Sequence, residues 1–160
     1  MSLSADRKDA PKQFTVEEGN RMLPLVKAIV DDLKNQQQIV NELRSRMNRL
    51  KGAVRRPGSQ DDEEYSEELE EFERDLILEI VKRDSFRHEL FRLGLIPGEP
   101  VGHCDFPAVM DGQAVYLCWN AGEPEIAHVH DPFESFAERK PLIAGASADL
   151  SGSSVYDQSE

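Results

Sequence analysis

Residues 105–130 read DFPAVMDGQAVYLCWNAGEPEIAHVH, and two glycine turns divide them into three short extended runs. Asp111-Gly112 is a two-residue hairpin signal, because both central residues of a type I′ turn need positive φ and Asp and Gly tolerate it. A turn there sets Asp105 opposite Cys118 and Phe106 opposite Leu117. Ala121-Gly122 is the second turn signal, setting Cys118 opposite Glu125 and Leu117 opposite Ile126. The expectation is a small three-stranded antiparallel β-meander over residues 101–130.

Side chains alternate across a strand, so this register sorts the residues by face. One face carries Phe106, Leu117 and Ile126 in a row, with Val115 and Trp119 beside them. That face is expected to pack on helices. The other carries Asp105, Cys118 and Glu125, flanked by His103, Tyr116 and Glu123. A thiol between carboxylates with an imidazole nearby is the ligand chemistry of a divalent transition metal. His130 lies just past the third run, within reach of either face. The candidate metal ligands are therefore Asp105, Cys118, Glu125 and His130. A polar face turned to water gives the same row, and a one-residue change in the second turn moves Glu125 to the face opposite Cys118.

Ahead of the meander lie two long helical patterns. Thr15 and Glu18 fit a capping box, with Thr15 as the N-cap. Pro24 lacks the N–H that a helix interior needs, so the helix either kinks there or ends near Met22 and restarts at Pro24. Beyond it, Val26, Leu33, Val40, Met47 and Val54 recur every seventh residue. Ile29, Leu43 and Leu50 fill the other seam position, with Gln36 as its polar member. About four heptads make a coiled-coil-like pattern. Residues 24–51 would span roughly 42 Å.

GAVRRPGSQ, residues 52–60, stops this helix. A second pattern follows to Leu93, with Leu69, Phe72, Leu76, Ile80, Phe86, Leu90 and Leu93 as its seam. A short connection makes antiparallel neighbours, and the pair is expected to form a helical hairpin over residues 15–94. Arg44, Arg46, Arg49, Lys51, Arg55 and Arg56 close the first helix, while Asp61, Asp62, Glu63, Glu64, Glu67 and Glu68 open the second. Each set suits its helix dipole and the two face each other. Folding near residues 56–58 sets Gln36 beside Leu78 and Glu79, a polar layer that would fix the register. Ile77, Leu78 and Val81 widen the apolar face beyond what one partner helix covers, and are the expected interface of a homo-oligomer.

The chain of 160 residues carries a net charge of −12. That balance argues against nucleic acid and an anionic membrane surface as partners, since phosphate neutralisation supplies most non-specific affinity. No apolar run reaches the length of a membrane span. The N-terminal residues MSLSADRKDAPKQ lack the apolar core of a secretory signal, and two cysteines make no disulfide framework. The expected setting is cytoplasmic. Gly94 to Gly102 lacks the spacing of a phosphate loop. Cys118 as a nucleophile would need an activating base, and its neighbours Asp105 and Glu125 would raise its pKa rather than lower it.

At Phe14–Glu18, Asn20–Leu25, Asp105–Ala108, Val115–Trp119, Gly122–Ile126, His130 and Phe136–Arg139 the chain resembles an uncharacterised bacterial family, domain of unknown function 2203. The resemblance covers about residues 14–142. It departs from the family pattern at Val129, where a tryptophan precedes the histidine, and near Ser135, where the family has a glycine. It implies a fold and a bacterial cytoplasmic setting and supplies no activity.

The expected architecture is α+β: a disordered arm at 1–13, a single domain at 14–143 with the hairpin packed on the meander, and a disordered tail at 144–160. Two functions compete. One is a non-enzymatic, homo-oligomeric assembly or adaptor protein with a further protein partner. The other is a divalent-metal-binding protein or metal-dependent enzyme with its site on the meander.

Overall fold

The computed structural model describes residues 12–52 and 60–142. The arm at 1–11, the tail from residue 143 and the connection at 53–59 lie outside the described residues.

Helix α1 runs Val16–Gly52 and helix α2 runs Gln60–Arg92. Thr15 caps α1 as expected: its Oγ1 accepts the Glu18 N–H at 3.1 Å. The helix passes through Pro24 without ending, which removes the reading of two shorter helices. Pro24 lies on the exposed side, so its ring meets solvent and only the Asn20 carbonyl loses its i+4 donor. Along the seam, Val26, Ile29, Leu33, Gln36 and Val40 are buried. Gln36 meets the expected partner. Its amide donates to the Glu79 carbonyl at 3.0 Å and to the Glu79 carboxylate.

The sheet has five strands rather than three. β1 (Ile96–Pro97), β2 (His103–Met110), β3 (Gln113–Asn120), β4 (His128–His130) and β5 (Lys140–Pro141) are antiparallel neighbours in that order. The β2–β3 register is the expected one, Asp105 opposite Cys118 and Phe106 opposite Leu117. Asp111 and Gly112 both take positive φ, 51° and 74°, as the tight turn demands.

The third-strand register differs. Cys118 pairs with His128 and Leu117 with Val129, three residues beyond the expected Glu125 and Ile126. The chain does turn at Gly122, with φ 99°, but the residues after it are already engaged. Pro124 has no N–H for a ladder. The Glu123 N–H and carboxylate bond back to Asn120, and its carbonyl accepts the Trp119 indole N–H at 2.9 Å. The Ile126 N–H goes to the Asn20 Oδ1 at 2.7 Å. Pairing therefore resumes only at His128. Glu125 is left exposed.

The apolar face of the sheet packs on the helices. Phe106, Ala108, Val115, Leu117, Trp119, Ile126 and Val129 join Phe14, Leu23, Val26, Val30, Leu33 and Leu90 in one core cluster. Phe14 stands edge-on to Phe106 at 5.5 Å. Burial of such side chains is worth about 1.5–3 kcal/mol each. The helix comes closest at Gly19, where an added Cβ would lie 2.5 Å from Ile126 Cδ1 and 3.4 Å from Phe106 Cδ1. Gly19→Val should therefore destabilise the protein by about 1–3 kcal/mol through overpacking. Thermal melts check this; an unchanged midpoint would mean that α1 does not sit this close to the sheet.

Candidate metal centre

The same parity that sends Leu117 and Val129 inward sends their neighbours outward. Asp105, Cys118 and His128 form one cross-strand row on the outer face, and Pro107, Tyr116 and His130 form the next. Directly paired side chains lie on one face. This face is not open to water. Residues 131–139 cross it before β5 joins the sheet beside β4. The Phe136 ring stacks on His103 at 4.4 Å, and Arg139 lies over Phe136. His103 is held from the other side by Gly98, where a Cβ would overlap the imidazole.

Under this strap, one ligand atom each from Asp105, Cys118 and His130 lies within 4.8 Å of the others. Relative exposures are 9% for Asp105, 0% for Cys118 and 3% for His130. His130 is fixed at both nitrogens. Nδ1 stands 2.9 Å from the Asp131 carbonyl oxygen, and Nε2 stands 3.1 Å from Asp105 Oδ1. Each ring nitrogen thus faces an acceptor, Nδ1 the Asp131 carbonyl and Nε2 the Asp105 carboxylate. Tyr116 closes the other side of the ring at 5.6 Å between centroids.

Of the four expected ligands, the fold brings three together. Glu125 is not among them, because the displaced register turns it to solvent. Sequence reasoning missed Arg139. Its Nη1 donates to Glu123 Oε1 at 2.7 Å, and its charge favours the Cys118 thiolate. No periodicity marks that residue; the one hint was its place in the Phe136–Arg139 segment of the family resemblance. His128 also went unread as the residue opposite Cys118.

The electrostatics separate the two cysteines from catalytic thiols. Burial, then the Asp105 charge and its hydrogen bond, push the Cys118 thiol up to about 12, against the pull of Arg139. Cys104 points into the apolar core and is raised further, again by burial first. Burial would raise the Glu123 carboxyl, but the Arg139 and Asn120 hydrogen bonds outweigh it and hold it below its ordinary value. His103 is lowered by burial, with His130 and Arg139 adding to the effect and Asp105 opposing it.

Fold and site together define a small α+β protein, with a helical hairpin on one face of a sheet and a buried carboxylate–thiol–imidazole cluster on the other. The chain belongs to the family described as uncharacterized conserved protein (DUF2203), whose model matches residues 12–142. No curated protein and no solved structure matches the chain. No helix among the described residues is long and apolar enough to cross a membrane.

A lowered histidine pKa has a signed consequence. His103 binds a proton more readily unfolded than folded, so its contribution to stability is complete above its ordinary value of 6.5 and is lost as pH falls below it. Glu123 acts in the same direction below its ordinary 4.5. The melting temperature of metal-free protein should therefore fall between pH 7 and pH 5, and His103→Gln should flatten that slope. An equally steep slope in the variant would remove His103 as its source.

Proposed function

We propose that the protein binds a divalent transition metal of the zinc type through His130 Nε2, the Cys118 thiolate and an Asp105 carboxylate oxygen. The observation that carries this reading is the posture of His130. A metal-ligating histidine characteristically donates its second ring N–H to a carbonyl or carboxylate, which fixes the tautomer and aims the other nitrogen at the ion. His130 has that arrangement, with Asp131 supplying the carbonyl. Two ligands about 2.1 Å from a tetrahedral ion lie about 3.4 Å apart. The imidazole and carboxylate are already 3.1 Å apart, and the cluster needs a contraction of only about 1 Å to close. The fourth position falls to water or to a ligand of the ion.

Burial of all three ligands and the raised Cys118 pKa favour a non-enzymatic metal protein over a cysteine-nucleophile enzyme. Free, buried thiols fit a reducing cytoplasm. Homo-oligomeric assembly is a second, compatible reading. It is supported by Ile77, Leu78 and Val81, which stand 60%, 67% and 60% exposed in the middle of α2.

The experiment is metal titration of the purified, tag-free protein by calorimetry, beside elemental analysis of the protein as isolated. About one equivalent should bind, with proton release, because the Cys118 thiol must ionise to ligate. Affinity should rise with pH. Cys118→Ser and Asp105→Asn should each weaken binding by more than the roughly 10–100-fold that an outer-shell change costs. Glu125→Gln should leave it unchanged. Folded protein that takes up no zinc, cobalt or nickel, or binds equally well without Cys118, would overturn the reading.

A further inference from the structure

The sheet supports only part of the hairpin. The core cluster draws α1 residues no further along than Leu33, and from α2 only Phe86 and Leu90, with Leu93 just past its end. Beyond them, residues 36–52 and 60–82 form a two-helix arm without a third layer. Its seam residues show the consequence. Val40 and Leu76 are buried, but Leu43, Met47, Leu50, Leu69, Phe72 and Ile80 are only half-buried, because two helices enclose little core between them.

The outside of the arm is apolar in its middle. Leu78 and Ile39 line one groove of about 510 Å³ between the helices, with Leu43, Arg46 and Asp75. Ile77 and Val81 extend the apolar surface around α2, and Leu25, 51% exposed, continues the Ile39 flank towards the sheet. Position 25 precedes 39 by two heptads, so the two share one flank of α1.

Charge selects the occupant. On the groove side of α1, Arg46 and Arg49 have no carboxylate partner among the described residues, and Glu67, Glu68, Glu70 and Glu71 on α2 have no cationic one. The one ion pair joining the helices along the arm, among the described residues, is Lys51–Glu73 at 3.8 Å, half exposed. The arm thus presents a basic edge and an acidic edge, both largely unsatisfied. A surface of that kind is self-complementary about a two-fold axis parallel to the arm. The basic α1 of each copy then lies beside the acidic α2 of the other, and the two grooves face each other.

We infer that two copies of this chain pair arm against arm, tips together, as a four-helix bundle closed by Ile39, Leu43 and Leu78. The inference deepens the assembly reading above and is independent of the metal. The arm is about 25 Å long and two helices, about 20 Å, wide. That gives on the order of 500 Å² per copy, or about 1,000 Å² in total, the lower bound for a specific interface. Such an interface is isologous, the commonest symmetry of soluble oligomers.

Light scattering at tens of micromolar, followed by pairwise mixing of charge variants, tests it. Ile39→Asp with Leu78→Asp should weaken self-association at least a hundredfold while the circular dichroism spectrum holds, since both side chains are solvent-exposed within one copy. Arg46→Glu with Arg49→Glu should repel itself. So should Glu67→Lys with Glu71→Lys in a second preparation. Mixed together, the two should form a heterodimer, because each α1 then meets an α2 of opposite charge in the other copy. A wild-type monomer would overturn both the inference and the assembly reading. A wild-type dimer that tolerates the Ile39/Leu78 change, or charge variants that fail to pair on mixing, would overturn the arm-to-arm arrangement and leave assembly standing.

Discussion

The alternation of side chains along β2, β3 and β4 is the constraint from which the rest of the molecule follows. One register assigns Phe106, Leu117 and Val129 to the helices. It assigns Asp105, Cys118 and His128 to the outer face, with His130 in the adjoining row. A slip of one residue on any strand would exchange core for cluster. The register is pinned at one end by the Asp111-Gly112 turn and at the other by Pro124 and the Asn20 side chain, which hold residues 123–127 out of the ladder. Core packing and site assembly are thus one event, and a change that loosens Ile126 against Gly19 also releases the loop that positions β4.

The outer cluster then has to be kept from water, and the strap does this with chemistry of its own. Phe136 covers His103, while Arg139 spans Glu123 and Cys118. The Asp131 carbonyl accepts from both His130 Nδ1 and the Glu134 N–H. One carbonyl therefore ties the start of the strap to the imidazole. A charged guanidinium beside a thiol and a carboxylate favours the ionised forms that a metal needs, while burial disfavours them. The balance leaves the Cys118 thiol protonated near neutral pH.

Much of this was legible in the residues, where the interactions are local or periodic. The Thr15 cap, the seam through Val26, Leu33 and Val40, the Gln36–Glu79 layer and the β2–β3 register all follow from spacing. What escaped depends on contacts distant in sequence or on single backbone groups. The Ala121-Gly122 signal does mark a turn, but the length of the excursion was decided by Pro124 and by Asn20, 106 residues away from the amide it accepts. Without that, Glu125 looked like a ligand and His128 did not look like the residue opposite Cys118. β1 and β5, two residues each, carry no alternation to read. Pro24 breaks the helical pattern in the sequence and yet is accommodated within α1, because its side of the helix faces solvent.

The central claim is that Asp105, Cys118 and His130 close on one cation, and cobalt(II) substitution tests it most directly. A tetrahedral ion bound through a thiolate gives intense visible d–d absorption and a near-ultraviolet sulfur-to-metal charge-transfer band. Both should saturate at one equivalent, and the charge-transfer band should vanish in Cys118→Ser while the fold persists. A titration of folded protein that develops neither band would contradict the claim.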